Sequence, residues 1–262
     1  MSAVSRYERW NTLIELVAAG GHLSVTEAAR SLGVSEATIR RDLDQLAEQR
    51  MLTRTRGGAV GSSQMAYDLP LLYKSARNAP EKQIIGEAAA ALIAPCSTVA
   101  LNGGTTTLEV ARALLNRADL RDSGLTVVTN ALSIASELAV RPQVKLVVTG
   151  GVARPESGEL IGPLATYLLE ELTFDWAILG VDGLDSIAGA TAHHEGEAAV
   201  NRLMTERAHH VAIVADSSKL GHRAFARVCG TDKIAVLVTN ATADAPAAAA
   251  LADRGIKVIT AI

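Results

Sequence analysis

A six-residue run, Asn102-Gly103-Gly104-Thr105-Thr106-Thr107, has the residue types of an anion-binding turn. Consecutive glycines let a backbone approach a ligand closely, and the unpaired N–H groups and dipole at the start of a helix favour negative charge. Threonine hydroxyls would add further donors. We therefore predict that this run cradles a phosphate group. The alternative is an ordinary strand-to-helix turn in which a threonine serves as the N-cap.

Similar small, polar or glycine-rich segments follow four other apolar stretches of the chain. If those stretches are parallel strands, their carboxyl ends meet at one edge of a sheet, where ligands of such proteins bind. Lys219, at the end of Asp216-Ser217-Ser218-Lys219, could supply a positive charge to the phosphate. The ligand-binding residues predicted from all five segments are Asn102, Gly103, Gly104, Thr105, Thr106, Thr107, Thr129, Asn130, Gly150, Gly151, Arg154, Asp182, Gly183 and Lys219.

The chain beyond residue 80 alternates between helical and strand patterns. Near-continuous apolar runs such as Val144 to Val148 and Val211 to Val214 are typical of strands that are buried on both faces. The pattern predicts an α/β fold with a mostly parallel sheet covered by helices. The predicted strands are 98–101, 125–129, 144–149, 176–181, 211–215, 234–239 and 257–260, and the predicted helices are 81–93, 105–116, 132–140, 164–172, 195–208 and 245–253.

The first 60 residues predict a different, smaller structure. A first amphipathic helix ends near Gly20-Gly21, and a capping-box pattern, Ser24 with Glu27, begins a second helix. Gly33 supplies a tight turn, and Ser35 caps a third helix. The apolar residues of this third helix recur at i, i+4 and i+7 and predict its buried stripe, which comprises Ile39, Leu43 and Leu46. Two short helices joined at a glycine are typical of a helix-turn-helix.

The buried stripe determines which side chains of the third helix face outward. At about 100° per residue, Arg41 lies almost opposite Ile39, so its fork could grip guanine O6 and N7. Flanking residues such as Arg40 are better placed to contact DNA phosphates. Such contacts fix the position of the protein on the duplex but do not read the base sequence. Glu36 could accept a hydrogen bond from the amino group of a cytosine, or its negative charge could simply complement the helix dipole. The predicted DNA-binding residues are Ser24, Ser35, Glu36, Ala37, Thr38, Arg40, Arg41, Arg54 and Arg56.

A basic wing follows the third helix. Within residues 51–59, the run from Leu52 to Arg56 has the alternating pattern of a short strand, with Arg54 and Arg56 on one side. Gly57-Gly58 would form the turn between this strand and the next. Residues 40–56 hold five arginines against three acidic residues, although the whole chain has a formal net charge of −3. This local basic charge favours a small module that binds double-stranded DNA. A helical bundle with merely solvated arginines is the alternative.

These patterns divide the chain into a winged helix-turn-helix at 1–60, a polar linker at 61–80 and a ligand-binding domain at 81–262. We predict no metal and no cofactor, because Cys96 and Cys229 are far apart and the adjacent His193 and His194 point in different directions. A metal site that combines these histidines with Glu195 and Glu197 is the weaker alternative. The chain shows no signal-peptide core and no apolar run that could span a bilayer, so we expect a cytoplasmic protein without a membrane partner.

The sequence resembles the DeoR family of bacterial transcriptional regulators over nearly its full length. The motifs that carry the resemblance are VSEATIRRDL (34–43), RTRGGA (54–59), GGTTT (103–107), VTN (128–130), VTGG (148–151), GVDG (180–183) and ADSSK (215–219). The resemblance implies a sensor domain related in fold to ribose-5-phosphate isomerase, and a phosphorylated sugar that modulates operator binding. It also implies a repressor that forms a homodimer or homotetramer. Asn102 and Asn240 depart from the family, because aspartate is common at both positions.

An enzyme is the competing interpretation. Related sugar-phosphate isomerases carry Asp-Gly-Ala-Asp-Glu, in which the final glutamate is the general base, whereas this chain has Asp182-Gly183-Leu184-Asp185-Ser186. Serine cannot act as a carboxylate base near neutral pH. Asp185 or Glu195 could substitute, with the N-terminal helices serving assembly. A third hypothesis is an activator in place of a repressor, since the sign of regulation depends on where the operator lies relative to the promoter.

Overall fold

The computed structural model describes residues 6–48, 51–61, 78–121 and 124–262, and the chain divides into two units, Met1–Arg77 and Asn78–Ile262. Most of the predicted linker, residues 62–77, lies outside the described residues.

The N-terminal unit contains three helices and a three-stranded antiparallel sheet. The elements in chain order are α1 (Arg6–Gly20), β1 (His22–Ser24), α2 (Val25–Leu32), α3 (Glu36–Glu48), β2 (Leu52–Thr55) and β3 (Gly58–Gly61). The strand order is β1-β3-β2. This arrangement is a winged helix-turn-helix, as predicted. Strand β1 was not predicted, because three residues are too few to display an alternating pattern.

The predicted apolar stripe forms the core of this unit. Ile39, Leu43 and Leu46 of α3 are fully buried and pack with Leu13 of α1 in one hydrophobic cluster. Gly33 ends α2 in the left-handed conformation (φ 63°), which reverses the chain towards α3. The core therefore fixes which face of α3 is exposed.

The C-terminal unit alternates strands and helices around one large sheet. Its helices are α4 (Ala79–Ala90), α5 (Thr105–Asn116), α6 (Leu132–Leu138), α7 (Pro163–Glu170), α8 (Glu195–Glu206) and α9 (Pro246–Ala252). Its strands are β4 (Thr98–Leu101), β5 (Leu125–Thr129), β6 (Val144–Val148), β7 (Val152–Ala153), β8 (Leu160–Ile161), β9 (Phe174–Gly180), β10 (Gly183–Asp185), β11 (Gly189–Ala192), β12 (Ala208–Val214), β13 (Ala226–Cys229), β14 (Val236–Thr239) and β15 (Lys257–Thr260).

Seven strands form a sheet in the order β15-β14-β12-β9-β4-β5-β6, and every neighbouring pair is parallel. Helix-covered clusters of buried residues line the sheet. The predicted α/β class with a parallel sheet is confirmed. The chain leaves β4 towards β5 on one side and leaves β9 towards β12 on the other. The β4–β9 boundary is thus the topological switch point, outside which ligands of open α/β sheets bind.

Two small antiparallel features above the carboxyl edge were not predicted. One is the β7–β8 hairpin, in which Val152 pairs with Ile161. The other is a three-stranded sheet in the order β10-β11-β13. Several predicted boundaries also shift. The predicted helix 195–208 ends at Glu206, and the predicted strand 211–215 begins at Ala208, because Arg207 terminates the helix and the strand pairs with β9 from Phe174 onward.

Candidate functional site

Helix α3 presents Arg41 on its exposed face. Ala37, one turn earlier, is also exposed, whereas Ile39 between them is fully buried. The guanidinium of Arg41 forms no ion pair or hydrogen bond with any residue that the structure describes. An unengaged guanidinium on a solvent-facing helix can form the bidentate bond that reads guanine.

Arg40 and Glu36 are coupled to each other and to the preceding helix. Arg40 Nη2 lies 3.0 Å from Glu36 Oε2, and the hydroxyl of Thr26 in α2 donates to Glu36 Oε1 at 2.8 Å. Glu36 therefore has a structural use at the α2–α3 junction. Its carboxylate would have to exchange these partners before it could accept from a base.

The two predicted capping serines behave differently. The backbone N–H of Thr38 donates to Ser35 Oγ at 3.2 Å, so Ser35 caps α3 as predicted, and its hydroxyl also bonds that of Thr38 at 2.9 Å. Ser24 occupies the N-cap position of α2, but its side chain makes no capping hydrogen bond. The capping-box prediction for Ser24 and Glu27 is wrong in that respect. Pairing of Ser24 with Gly58 in the β-sheet orients the chain into α2 instead.

The two wing arginines also differ in their surroundings. Arg54 Nε lies 2.7 Å from Asp44 Oδ1, and Arg54 Nη1 donates to the carbonyl of Gly58 at 2.5 Å. Arg54 therefore ties the wing to α3. Arg56 is exposed at the β2–β3 turn beside Gly57, whose φ is 106°. Arg56 is the wing arginine that is positioned to reach a phosphate.

Asp42 was not predicted to be buried, yet only 3 % of it is exposed. Its carboxylate accepts from Arg9 Nε at 2.5 Å, from Arg9 Nη2 at 3.1 Å and from Trp10 Nε1 at 2.8 Å. The hydrogen bond to Asp42 is the main reason that the pKa of Arg9 is raised. In the sequence, Asp42 directly precedes Leu43 of the apolar stripe. This position next to a core residue is the signal from which its burial could have been predicted. These contacts fix α3 against α1.

In the C-terminal unit, Asn102 joins the ends of β4 and β9 at the switch point. Its Nδ2 donates to the carbonyl of Gly180 at 2.9 Å, and its Oδ1 accepts from the N–H of Gly180 at 2.8 Å. Asn102 is 1 % exposed. Its amide thus holds the two strand ends at a fixed separation beside the predicted cradle.

The cradle itself begins α5. Gly104 is the N-cap residue with φ 143°, a conformation that requires glycine, and it offers no side chain to the first helical turn. The hydroxyl of Thr107, which is fully buried, donates to the carbonyl of Gly104 at 3.0 Å. Thr105 and Thr106 keep 8 % and 9 % exposure. A helix leaves its first N–H groups without intrahelical partners, so those of Thr105 to Thr107 are suited to an anion.

A buried lysine, which the sequence reasoning missed, lies beside the start of α5. Arg117, after α5, donates to the carbonyls of Ala90 and Ile93 at the end of α4 (2.6 and 2.5 Å), so the two helices run parallel. A Cβ on Gly86 of α4 would meet the backbone of Glu109 at 2.7 Å. One turn earlier on each helix, Lys82 is level with Thr105. Lys82 is only 6 % exposed, so α4 carries a largely buried lysine at the level of the first turn of α5.

Glu159 is a second residue that the sequence reasoning missed. It precedes β8 and is 5 % exposed. A Cβ on Gly103 would lie 2.2 Å from Glu159 Cγ and 2.6 Å from its Oε1, so only glycine permits this approach. Asn130 Nδ2 donates to the other oxygen, Oε2, at 3.0 Å. The carboxylate thus joins two predicted ligand-binding residues, Gly103 and Asn130.

Other predicted ligand-binding residues lie along the same edge with local partners. The Thr129 hydroxyl accepts from the N–H of Ala131 at 3.1 Å, and Arg154 Nη1 lies 2.9 Å from Glu197 Oε1. Gly150 and Gly151 lead into β7, and Gly183 begins β10.

Asp182 and Lys219 lie on the β9 and β12 side of the switch point. Asp182 Oδ2 accepts from the N–H of His193 at 2.9 Å. Lys219 is half-buried at the end of a 3-10 turn, Ser217–Lys219, that follows β12. Because β12 is two strands from β4, this turn begins about 10 Å from the cradle strand.

The histidine pair does not gather metal ligands. His194 is the N-cap of α8, and its Nδ1 accepts from the N–H of Gly196 at 3.1 Å. Within the described ranges, no group of three histidine, cysteine, aspartate or glutamate side chains is placed to hold a metal ion. Across the same ranges, no helix is both long and apolar enough to cross a membrane.

Comparison with known proteins identifies both units. Residues 9–65 match the DeoR-like helix-turn-helix domain, and residues 77–241 match the DeoR C terminal sensor domain. The chain is 35 % identical over 253 residues to the HTH-type transcriptional regulator GlpR of Haloferax volcanii, covering 96 % of both chains. It is 34 % identical over 234 residues to the glycerol-3-phosphate regulon repressor of Escherichia coli, covering 89 % of this chain and 90 % of that one. Among solved structures, ribose 5-phosphate isomerase A of Methanocaldococcus jannaschii matches 54 % of each chain at 18 % identity, with a TM-score of 0.41.

Proposed function

The chain belongs to the DeoR family of DNA-binding transcriptional regulators, and from that premise we propose that it represses a carbohydrate-metabolism operon in response to a phosphorylated sugar or polyol. It is a regulator and not an enzyme. Repression is the sign proposed here because a 34 % identical relative is named a regulon repressor. A protein that binds an operator works where the chromosome is, so we place it in the cytoplasm.

The observation that carries the effector proposal is the start of α5 at the switch point. Three helix N–H groups there follow a Gly103-Gly104 turn, and a buried Lys82 lies level with Thr105. N–H groups, helix dipole and ammonium all favour a phosphate. We propose Lys82 as the nearer countercharge, because Lys219 follows a strand two positions away in the sheet. Asn102 then holds the cradle in place through Gly180.

For the DNA side, we propose that Arg41 reads a base while Arg56, Arg40, Thr38 and Ser35 contact phosphates. Arg41 and Arg56 are exposed, and Arg54 and Glu36 are held by Asp44 and by Thr26 and Arg40. A palindromic operator requires two recognition helices, so we also propose that the protein binds as a homodimer or homotetramer. The effector would then change operator affinity by the ratio of its affinities for the two conformations of the assembly.

The first test is to mix the full-length protein with fragmented genomic DNA from its source and to sequence the retained fragments at near-physiological salt. Recurrent sites upstream of a sugar or polyol operon are expected. Retention only at low salt, without recurrent sites, would indicate non-specific charge binding and would contradict the proposal. The effector is then tested with a library of sugar and polyol phosphates. Fluorescence anisotropy measures whether each compound releases the enriched operator from the protein. The same titration with unphosphorylated sugars is the control.

A further inference from the structure

The exposed face of α3 changes character along its length. Ala37, Arg41, Asp44 and Glu48 recur at i, i+4, i+7 and i+11, so they lie within about 60° of one another around the helix, and all are exposed. The two in the second half are acidic, and Asp44 stays exposed although it pairs with Arg54 of the wing at 2.7 Å. Carboxylates repel DNA phosphates, so α3 has to enter the major groove by its first half.

The first half of this exposed row consists of Ala37 and Arg41. Glu36 beside them is occupied, since it accepts from Thr26 at 2.8 Å and pairs with Arg40 at 3.0 Å. The side chain of Ala37 is a single methyl group, which makes apolar contacts and no hydrogen bonds. In the major groove, the apolar group that a base presents is the 5-methyl of thymine. The other base edges present donors and acceptors, which a methyl group would leave unpaired.

We propose that Ala37 reads a thymine through its 5-methyl group, one or two base pairs from the guanine that Arg41 reads. This inference rests on the function proposed above and adds a second base to its readout. The step from Ala37 to Arg41 rises about 6 Å along α3, and successive base pairs are about 3.4 Å apart. The two side chains therefore reach neighbouring positions of one half-site.

The test uses the operator that genomic enrichment recovers. Each thymine is replaced in turn by deoxyuridine in both half-sites, which removes the 5-methyl group and keeps every hydrogen-bonding group of the base. Fluorescence anisotropy at one fixed salt concentration measures binding to the full-length protein. We expect one sensitive thymine, one or two base pairs from the guanine whose preference is lost in Arg41→Ala. Its replacement should weaken binding about fourfold for each half-site, as expected for the loss of one buried methyl group.

The variant Ala37→Gly removes the protein side of the same contact. The ratio of its affinities for the thymine and deoxyuridine operators should fall to about 1.5-fold or less for each half-site. A ratio taken within one variant cancels the general loss of affinity that glycine causes in a helix. Arg56→Ala, which removes a proposed phosphate contact, is the matched control. It should weaken binding to both operators and keep the ratio at about fourfold.

The outcomes distinguish this inference from the proposed function. If the wild-type protein binds its operator but no thymine near that guanine is sensitive, the role of Ala37 is refuted and the regulator stands. The same holds if Ala37→Gly, shown to be folded by far-UV circular dichroism, keeps the full ratio. If that variant does not fold, the wild-type scan decides by itself. If enrichment recovers no operator, the proposed function is refuted, and the readout by Ala37 is refuted with it.

Discussion

Asn102 and Gly180 form a closed ring of two hydrogen bonds across the switch point, in which one side-chain amide both donates to and accepts from one peptide backbone. The ring joins β4 to β9, the two strands from which the chain departs in opposite directions. Asparagine suits this position because a carboxylate could accept from the Gly180 N–H but could not donate to its carbonyl. The departure from the family's common aspartate therefore has a local structural explanation.

The first prediction follows from that ring. Asn102→Asp should lower the free energy of unfolding by about 1–3 kcal/mol at pH 7, because a buried carboxylate would face the Gly180 carbonyl. Burial and the facing Gly180 carbonyl outweigh the one remaining donor, the Gly180 N–H, and raise the folded-state pKa of the new carboxyl. The loss should therefore be small below pH 4 and grow as pH rises through that raised value. Urea unfolding at pH 4 to 7 measures it.

Asn240→Asp is the matched control for this substitution. Asn240 follows β14 of the same sheet, and its Oδ1 accepts from the N–H of Ser217 at 2.8 Å. A carboxylate can keep that bond, so the stability of this variant should stay within about 0.5 kcal/mol of wild type. Equal losses of stability in both variants would contradict the prediction, because they would show that the hydrogen bond from Asn102 Nδ2 to the Gly180 carbonyl has no special importance.

The second prediction concerns base readout. Arg41→Ala should weaken specific operator binding by about 1–3 kcal/mol and relax the preference at one base pair. Arg40→Ala, its neighbour in an exposed ion pair with Glu36, should weaken binding evenly across sequences and reduce the salt dependence. Competition binding against single-substituted operators measures both. An unchanged preference in Arg41→Ala would remove that residue from base readout.

Much of the fold could be predicted because strands of a buried parallel sheet have short, nearly continuous apolar sequences. The strands at Thr98–Leu101, Leu125–Thr129 and Lys257–Thr260, and helix α5 at Thr105–Asn116, match the predicted ranges. The β7–β8 hairpin and the β10-β11-β13 sheet could not be predicted, since their strands are too short or too mixed in composition to form an apolar run. Their positions depend on pairing with distant segments.

The composition of the site was only partly accessible for a similar reason. Strand-end residues such as Gly103 and Asn130 are marked by their place after apolar runs. Lys82 and Glu159 are not, because one depends on the register of α4 against α5 and the other on the path of a hairpin. Nothing local distinguishes a lysine or glutamate that tertiary packing will bury. The roles of all these residues stay predictions.

The third prediction concerns the anchor of the recognition helix. Asp42→Ala should destabilise the N-terminal unit by about 3–5 kcal/mol, because it leaves the largely buried Arg9 without its counterion and Trp10 Nε1 without its acceptor. Asp44→Ala, which removes an exposed ion pair with Arg54, is the control and should cost about 1 kcal/mol or less. Tryptophan fluorescence in a Trp176→Phe background, which leaves Trp10 as the remaining tryptophan, reports thermal unfolding of this unit. Similar losses in the two variants would contradict the anchor.

The fourth prediction concerns alkaline stability. Burial raises the pKa of the Cys229 thiol from 9.0 to about 11, against a hydrogen bond to Thr205 that lowers it. The protonated thiol thus contributes stability that is complete below pH 9 and is lost as pH rises through about 11. Between those values wild type should lose about 1 kcal/mol per pH unit more than Cys229→Ala, measured by urea unfolding. Parallel pH profiles would show that the thiol titrates normally.

The final prediction is a coupling between Gly103 and Glu159. Gly103→Ala should destabilise the C-terminal unit by about 1–3 kcal/mol, because the new Cβ would lie 2.2 Å from Glu159 Cγ and 2.5 Å from its Cδ. Glu159→Ala removes the three atoms nearest to that Cβ, so the double variant should be more stable than the sum of the two single changes predicts. A double-mutant cycle from urea unfolding should give a coupling of about 1 kcal/mol or more. Additive losses would mean that the carboxylate does not pack against Gly103 and would weaken the case for Glu159 beside the cradle.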